Sequence, residues 1–214
     1  IGVSSVVMLT SIGNGLSAYV TKEFNQLGAN TLLVFPGDIF GENGSFSQQN
    51  SVSALANSKL KMTDVATLER MRDDVSQVAP FNLQGDKISF QQTTKSISTL
   101  GTTSNFTTAF NVPVEKGTFF TEKQENDGDL VVVLGYDVAD KLFGKIDPVG
   151  KHVKLGTQTF TVVGVAEKKG SGFGGPSFDT YVYIPLKVFF KKYDTNAIIR
   201  IIVKAKTTDR VKEH

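Results

Sequence analysis

Gly170, Gly172 and Gly175 lie in the stretch KKGSGFGGPS, from Lys168 to Ser177, and carry the G-x-G-x-x-G spacing of a dinucleotide-binding turn. Such a turn sets backbone amides at a helix N-terminus against a pyrophosphate, so it needs a strand before it and a helix after it. The strand-like FTVVGVA precedes the glycines, but Pro176 and the strand-like TYVYI follow them. The stretch therefore reads as a mobile hairpin tip presenting Phe173, with Lys168 and Lys169 as solvated flanks. A second phosphate pattern, GKIDPVGK from Gly144 to Lys151, has five residues between its glycines, one more than a P-loop allows. His152 stands where that loop needs a magnesium-binding hydroxyl, and Asp147-Pro148 removes amides a phosphate would use. This pattern reads as a helix stop followed by a turn.

Other chemistry is equally thin. Glu122, Glu125, Asp127 and Asp129 form an acidic run that reads as a solvated loop, because it lacks the glycine and terminal glutamate of a calcium hand. There is no cysteine, which excludes disulfides and thiolate zinc sites, and the two histidines are His152 and His214. His152 has no nucleophile elbow near it in sequence. The net charge of +2 gives no case for nucleic acid. No catalytic residue, cofactor or metal site is expected.

The elements that would carry these segments are clearer. Residues Ile1–Thr21 are uncharged, with small residues at Ser11 and Gly15 that permit close helix packing in lipid. The run reads either as the end of a membrane span or as a buried soluble helix. Leu16, Tyr19, Val20, Phe24 and Leu27 then share one helical face, and Gly28 supplies the stop. Thr31–Phe35 reads as a strand closed by Pro36-Gly37, and 37–58 as a polar, weakly ordered stretch. A helix is expected from an N-cap at Thr63, followed by strands broken by tight turns at Gln84-Gly85 and Gln92–Thr94. Val131–Leu134 reads as a buried strand, Asp137–Phe143 as a short helix, and Val153–Val165 as a hairpin turning at Gly156-Thr157. Tyr181–Pro185, Leu186–Tyr193 and Ala197–Ala205 read as strand, helix and strand, the last buried on both faces. Asp209 reads as the N-cap of a helix that the chain only begins.

Together these pieces resemble the MacB-type (FtsX-like) ABC permease family. The resemblance rests on the N-terminal segment through FPG, the G-x-x-F-T turn at Gly117–Thr121, VVVLG, LFG at Leu142–Gly144, DPVGK and FTVVGV. It implies an α+β extracytoplasmic core with a porter-like α/β subdomain and an inserted, mostly β, sabre-like subdomain, preceded by a transmembrane helix continuing as a stalk. On this sequence the stalk would occupy 1–29, the first porter-like part 30–113, the insert 114–185, and the returning, truncated porter-like part 186–214. The resemblance further implies a domain without catalysis in the cell (inner) membrane system, passing motion from cytoplasmic ATP hydrolysis to export or to an envelope partner. Its partners would be an ABC ATPase domain or subunit, a second permease copy in a dimer, the membrane through the N-terminal helix, and a periplasmic adaptor. The expected partner-contact residues are Ser171, Gly172, Phe173, Gly174 and Phe178. A free-standing extracellular binding or adhesion module is the alternative reading.

Overall fold

The computed structural model describes residues 31–34, 58, 60–71, 73–170 and 177–206. The expected stalk, nearly all of the 37–58 stretch, the tip residues Ser171–Gly174 and the helix start after Asp209 lie outside the described residues. In chain order the elements are β1 (Thr31–Val34), α1 (Met62–Arg70), β2 (Val75–Phe90), β3 (Thr93–Thr102), α2 (Phe106–Ala109) and β4 (Val114–Gly117). There follow α3 (Glu122–Asp127), β5 (Val131–Leu134), α4 (Tyr136–Phe143), β6 (His152–Leu155) and β7 (Gln158–Ala166). A 3-10 turn at Phe178–Thr180, β8 (Tyr181–Pro185), α5 (Leu186–Tyr193) and β9 (Arg200–Ala205) complete the described chain. No helix among the described residues is long and apolar enough to cross a membrane.

All nine strands belong to one mixed sheet, in the order β1-β9-β2-β3-β8-β5-β7-β4, with β6 pairing both β7 and the far end of β2. That second pairing closes β2, β3, β8, β5, β7 and β6 into a hydrogen-bonded ring. Two pairings, β3 with β8 and β5 with β7, are parallel; the others are antiparallel. Strands β5 and β8 are buried on both faces. Val132, Leu134, Val182 and Ile184 pack with α4 and α5 on one side, while Val131, Val133, Tyr181 and Tyr183 pack with Phe106 and Phe120 on the other. A third cluster holds Val65 of α1 against Val78, Ile201 and Val203. Ile201, Ile202 and Val203 are all buried, as the unbroken apolar run in β9 implies.

Several local expectations are corrected. The turn expected at Gln84-Gly85 does not form: β2 runs straight through, with Gly85 opposite Ser98. The one turn in this hairpin is Gln91-Gln92, where Phe90 faces Thr93 and Gln91 takes a φ of 52°. Gly85 marks no bend, and a Cβ there would meet nothing within 4 Å. Gly85→Ala should therefore keep or raise stability, by up to about 1 kcal/mol, because it removes chain entropy from the unfolded state. A fall in the denaturation midpoint would show that the position needs glycine after all.

Thr63 lies inside α1 rather than at its cap. The Asp64 carboxylate accepts the Lys61 amide at 2.8 Å, so the helix starts earlier. The acidic run expected as a loop is helix α3. Thr121 caps it through the Gln124 amide at 3.2 Å, the Gln124 side chain accepts the Thr121 amide at 2.9 Å, and Gly128 ends it in the left-handed region. The hydrogen bonding also runs across the boundaries placed at 114 and 185 in sequence terms, since β3 pairs β8 and β2 pairs β6.

Candidate functional site

The glycine-rich stretch leaves the sheet between β7 and β8, and its neck is built from the residues flanking it. Asp179, 3% exposed, accepts the Lys169 amide at 2.7 Å and the Gly170 amide at 2.8 Å, one on each carboxylate oxygen. The Phe178 amide donates to the Gly170 carbonyl at 3.2 Å, which joins the outgoing and returning strands. Ser177 supplies the local turn: its hydroxyl accepts the Asp179 amide at 3.2 Å, and its carbonyl accepts the Thr180 hydroxyl at 2.7 Å. Gly135, between β5 and α4, lies directly beneath and donates its amide to the Tyr181 carbonyl at 2.8 Å.

Lys169 fastens this neck to a different part of the chain. Its ammonium donates to the Phe110 carbonyl at 3.0 Å and the Asn111 carbonyl at 2.9 Å, at the C-terminal end of α2. It also lies over the Phe110 and Phe178 rings, 4.8 and 5.3 Å from their centroids. Lys204 of β9 donates to the Thr108 carbonyl of α2 at 2.9 Å. Two lysines thus satisfy carbonyls that a short helix end leaves open, and their charge suits the negative end of the helix. The sequence reading made Lys169 a solvated flank; it is half-buried, and Lys168 alone is exposed.

Burial brings the Lys169 pKa down from its ordinary 10.5 to about 8. Because the folded pKa is the lower one, the unfolded chain holds a proton that the native state has released between about pH 8 and 10.5. Stability from this residue therefore rises with pH across that window. Wild type should gain on Lys169→Met as pH climbs from 8 to 10.5, read from paired urea midpoints. A constant gap across the window would contradict the burial of this ammonium.

The neck also limits what the first glycine of the motif can hold. The two amides a phosphate would seek at its first glycine are already bonded to a buried carboxylate, which repels an anion. From Ser177 onward a 3-10 turn and a strand follow, with no helix N-terminus to assist. The second pattern is likewise engaged: the Gly150 amide donates to the Val162 carbonyl at 2.8 Å, and the Asp147 carboxylate accepts the Val149 amide at 3.2 Å. His152 is exposed on β6, with its Nδ1 3.2 Å from the Thr161 hydroxyl. The acids of α3 act singly, Asp127 with Lys123 and Glu125 with the Ser104 amide at 2.7 Å. Among the described residues no group of three or more His, Cys, Asp or Glu could hold a metal ion.

Of the expected contact residues, only Phe178 is described. Its ring packs on Phe110 and Tyr181, with centroids 5.2 and 5.6 Å apart, so it anchors the neck to the core. Ser171, Gly172, Phe173 and Gly174 belong to the stretch that this neck holds. Asp179 and Lys169, the residues that organise the site, were missed in the sequence. The local signal for Asp179 is its place two residues after Ser177 in a turn; Lys169 offers none, since its acceptors lie 58 and 59 residues away.

The family model for the MacB-like periplasmic core domain matches residues 1–213. The chain belongs to the MacB-like periplasmic core domain family. It is 30% identical over 186 residues to the pyoverdine export ATP-binding/permease protein PvdT of Pseudomonas syringae pv. tomato, covering 86% of this chain and 26% of that protein. It is 28% identical over 174 residues to the macrolide export ATP-binding/permease protein MacB of Neisseria gonorrhoeae, covering 81% of this chain and 26% of that protein. The chain thus spans about a quarter of the length of these curated relatives. Its fold is similar to the periplasmic region of MacB from Actinobacillus actinomycetemcomitans, with a TM-score of 0.70 at 21% identity, over 88% of this chain and 81% of that one. It is also similar to the extracellular domain of the ABC-type transporter YknZ from Gram-positive bacteria, with a TM-score of 0.66 at 22% identity, over 86% and 88% of the two chains. The MacB-like core therefore places its glycine-rich stretch on a neck fastened to both β5–α4 and α2.

Proposed function

We propose that this domain is the extracytoplasmic part of an ABC transporter permease and that it transmits conformational change from cytoplasmic ATP hydrolysis to export or to an envelope partner. The observation that carries this reading is mechanical. Strand β2 is one unbroken member of 16 residues, about 50 Å long at the usual rise per residue. One end pairs with β9, which pairs in turn with β1; the other end pairs with β6 in the ring. A displacement entering near β1 thus reaches the ring through backbone hydrogen bonds, which are stiff along a paired sheet. The relatives named as export ATP-binding/permease proteins support the same reading.

In this proposal ATP is hydrolysed on a separate domain or subunit, and the core itself performs no chemistry. Residues 1–29 form the membrane helix and stalk, 30–113 and 186–214 a porter-like part, and 114–185 a sabre-like insert. Two copies work as a dimer in the cell membrane. The stretch carrying Ser171, Gly172, Phe173 and Gly174 meets an adaptor protein, with Phe178 holding its base. A photo-crosslinking residue at Phe173 in the full-length protein tests the contact. The expected result is a discrete cross-linked species in membranes, absent when the same residue replaces exposed Asp140. Equal labelling from both positions would remove the tip from the mechanism.

A further inference from the structure

The six-stranded ring consists of two halves. Strands β2, β3 and β8 form one, with Phe81–Phe90 paired along Thr93–Thr102 and Ser98–Thr102 along Tyr181–Pro185. Strands β5, β7 and β6 form the other, through four residues of β5 and the whole length of β6. Only two short seams join them. At β5–β8, Val133 faces Tyr183 and Leu134 faces Val182, and all four are fully buried. At β2–β6, Ile88 faces Leu155, both fully buried, and Ser89 faces Lys154, which is exposed.

The two seams are held differently. The first is held by apolar packing on both faces. The second carries a polar cluster contributed by α5, which follows β8 and so belongs to the first half. Lys192, with a side chain 8% exposed, donates across the seam to the Leu155 carbonyl at 2.8 Å. Asp86 lies 3.3 Å from the same ammonium, and the Tyr193 hydroxyl donates to Asp86 at 2.6 Å. Burial works to raise the Asp86 pKa, but the Tyr193 hydroxyl, the Lys87 amide and the Lys192 ammonium outweigh it and hold the carboxyl below its usual range. Beside this cluster, the Gly156 amide donates to the Lys87 carbonyl at 2.8 Å.

We propose that the ring opens at the β2–β6 seam, with the β5–β8 seam as its hinge, and that Lys192 is the bolt that keeps it shut. Asp86 and Tyr193 are positioning residues: both lie on the same half as Lys192 and hold its ammonium at the Leu155 carbonyl. Losing the bolt leaves a two-pair seam packed on one face only, by Ile88, Leu155 and the Phe90–Phe143 ring pair, whereas the hinge is packed on both faces. Opening is therefore local rather than global, the behaviour of a low-stability unit attached to a stable one. This inference concerns the ring alone and stands whether or not the domain transmits force.

Hydrogen exchange by mass spectrometry on the full-length protein in detergent tests it, following peptides that cover 152–158 and 131–137. In wild type the first should exchange faster than the second. Lys192→Met should speed exchange in 152–158 by roughly tenfold or more, the effect of losing a charge-assisted bond, and leave 131–137 unchanged. Asp86→Asn, which keeps the ammonium but weakens its hold, should move 152–158 in the same direction by less; it carries the test if Lys192→Met does not fold. Equal protection of both peptides in wild type, or equal acceleration of both in the variants, overturns the proposal.

Discussion

Asp179→Ala should lower the unfolding free energy by about 3 kcal/mol, because two half-buried amides lose a buried, charged acceptor. The Lys169 and Gly170 amides meet this carboxylate at 2.7 and 2.8 Å, and Asp179 is 3% exposed, so water cannot readily replace it. Asp179→Asn should lose less, since its oxygen still serves one amide while its NH2 group faces the other. The alanine variant should also abolish cross-linking from Phe173, since the neck no longer fixes the departure of the stretch. Urea denaturation is the measurement, with Asp140→Ala, an exposed position on α4, as a control expected within about 0.5 kcal/mol of wild type. Asp179→Ala at the same midpoint as the control would mean that the neck is not held as described.

Gly135→Ala should be comparably damaging for a steric reason. A Cβ at that position would lie 2.5 Å from the Asp179 carbonyl oxygen and 2.6 Å from that of Tyr181. Both are backbone atoms and cannot swing aside like the end of a long side chain. The 3-10 turn would have to lift away from β5, straining the Gly135 to Tyr181 hydrogen bond of 2.8 Å. Overpacking of this kind costs about 3 kcal/mol. Asp179 and Gly135 act on one contact, so the double variant should lose less than the sum of the singles. Additive losses would place them in independent parts of the structure.

What could be read from the sequence was local. Strand β5, helices α4 and α5 and the β6–β7 hairpin follow from apolar spacing and from turn residues at Gly135 and Gly156, within windows of about ten residues. Gly85 misled because glycine usually interrupts a strand, and here ten consecutive pairs with β3 override that preference. Helix α3 was legible, since Thr121, Gln124 and Gly128 are its caps, but the acidic residues drew attention to metal chemistry instead. Ring closure could not be read, because Ile88 and Leu155 meet across long sequence separation through two residue pairs. The same holds for Lys169 and Lys204, which converge on α2 from the segment after β7 and from β9. The sequence points to the glycine-rich stretch as the expected partner contact, while the groups that fix its base lie in segments that carry no motif.

The central claim is that ATP-driven motion reaches this domain through its continuous sheet. Its direct measurement, in the dimer proposed above, is the distance between spin labels at Lys95, an exposed residue of β3, on the two copies in the full-length membrane protein. The chain has no cysteine of its own, so labels within it attach at that site alone. The account predicts distance distributions that shift between the nucleotide-free and ATP-bound states. Superimposed distributions in the two states would contradict it.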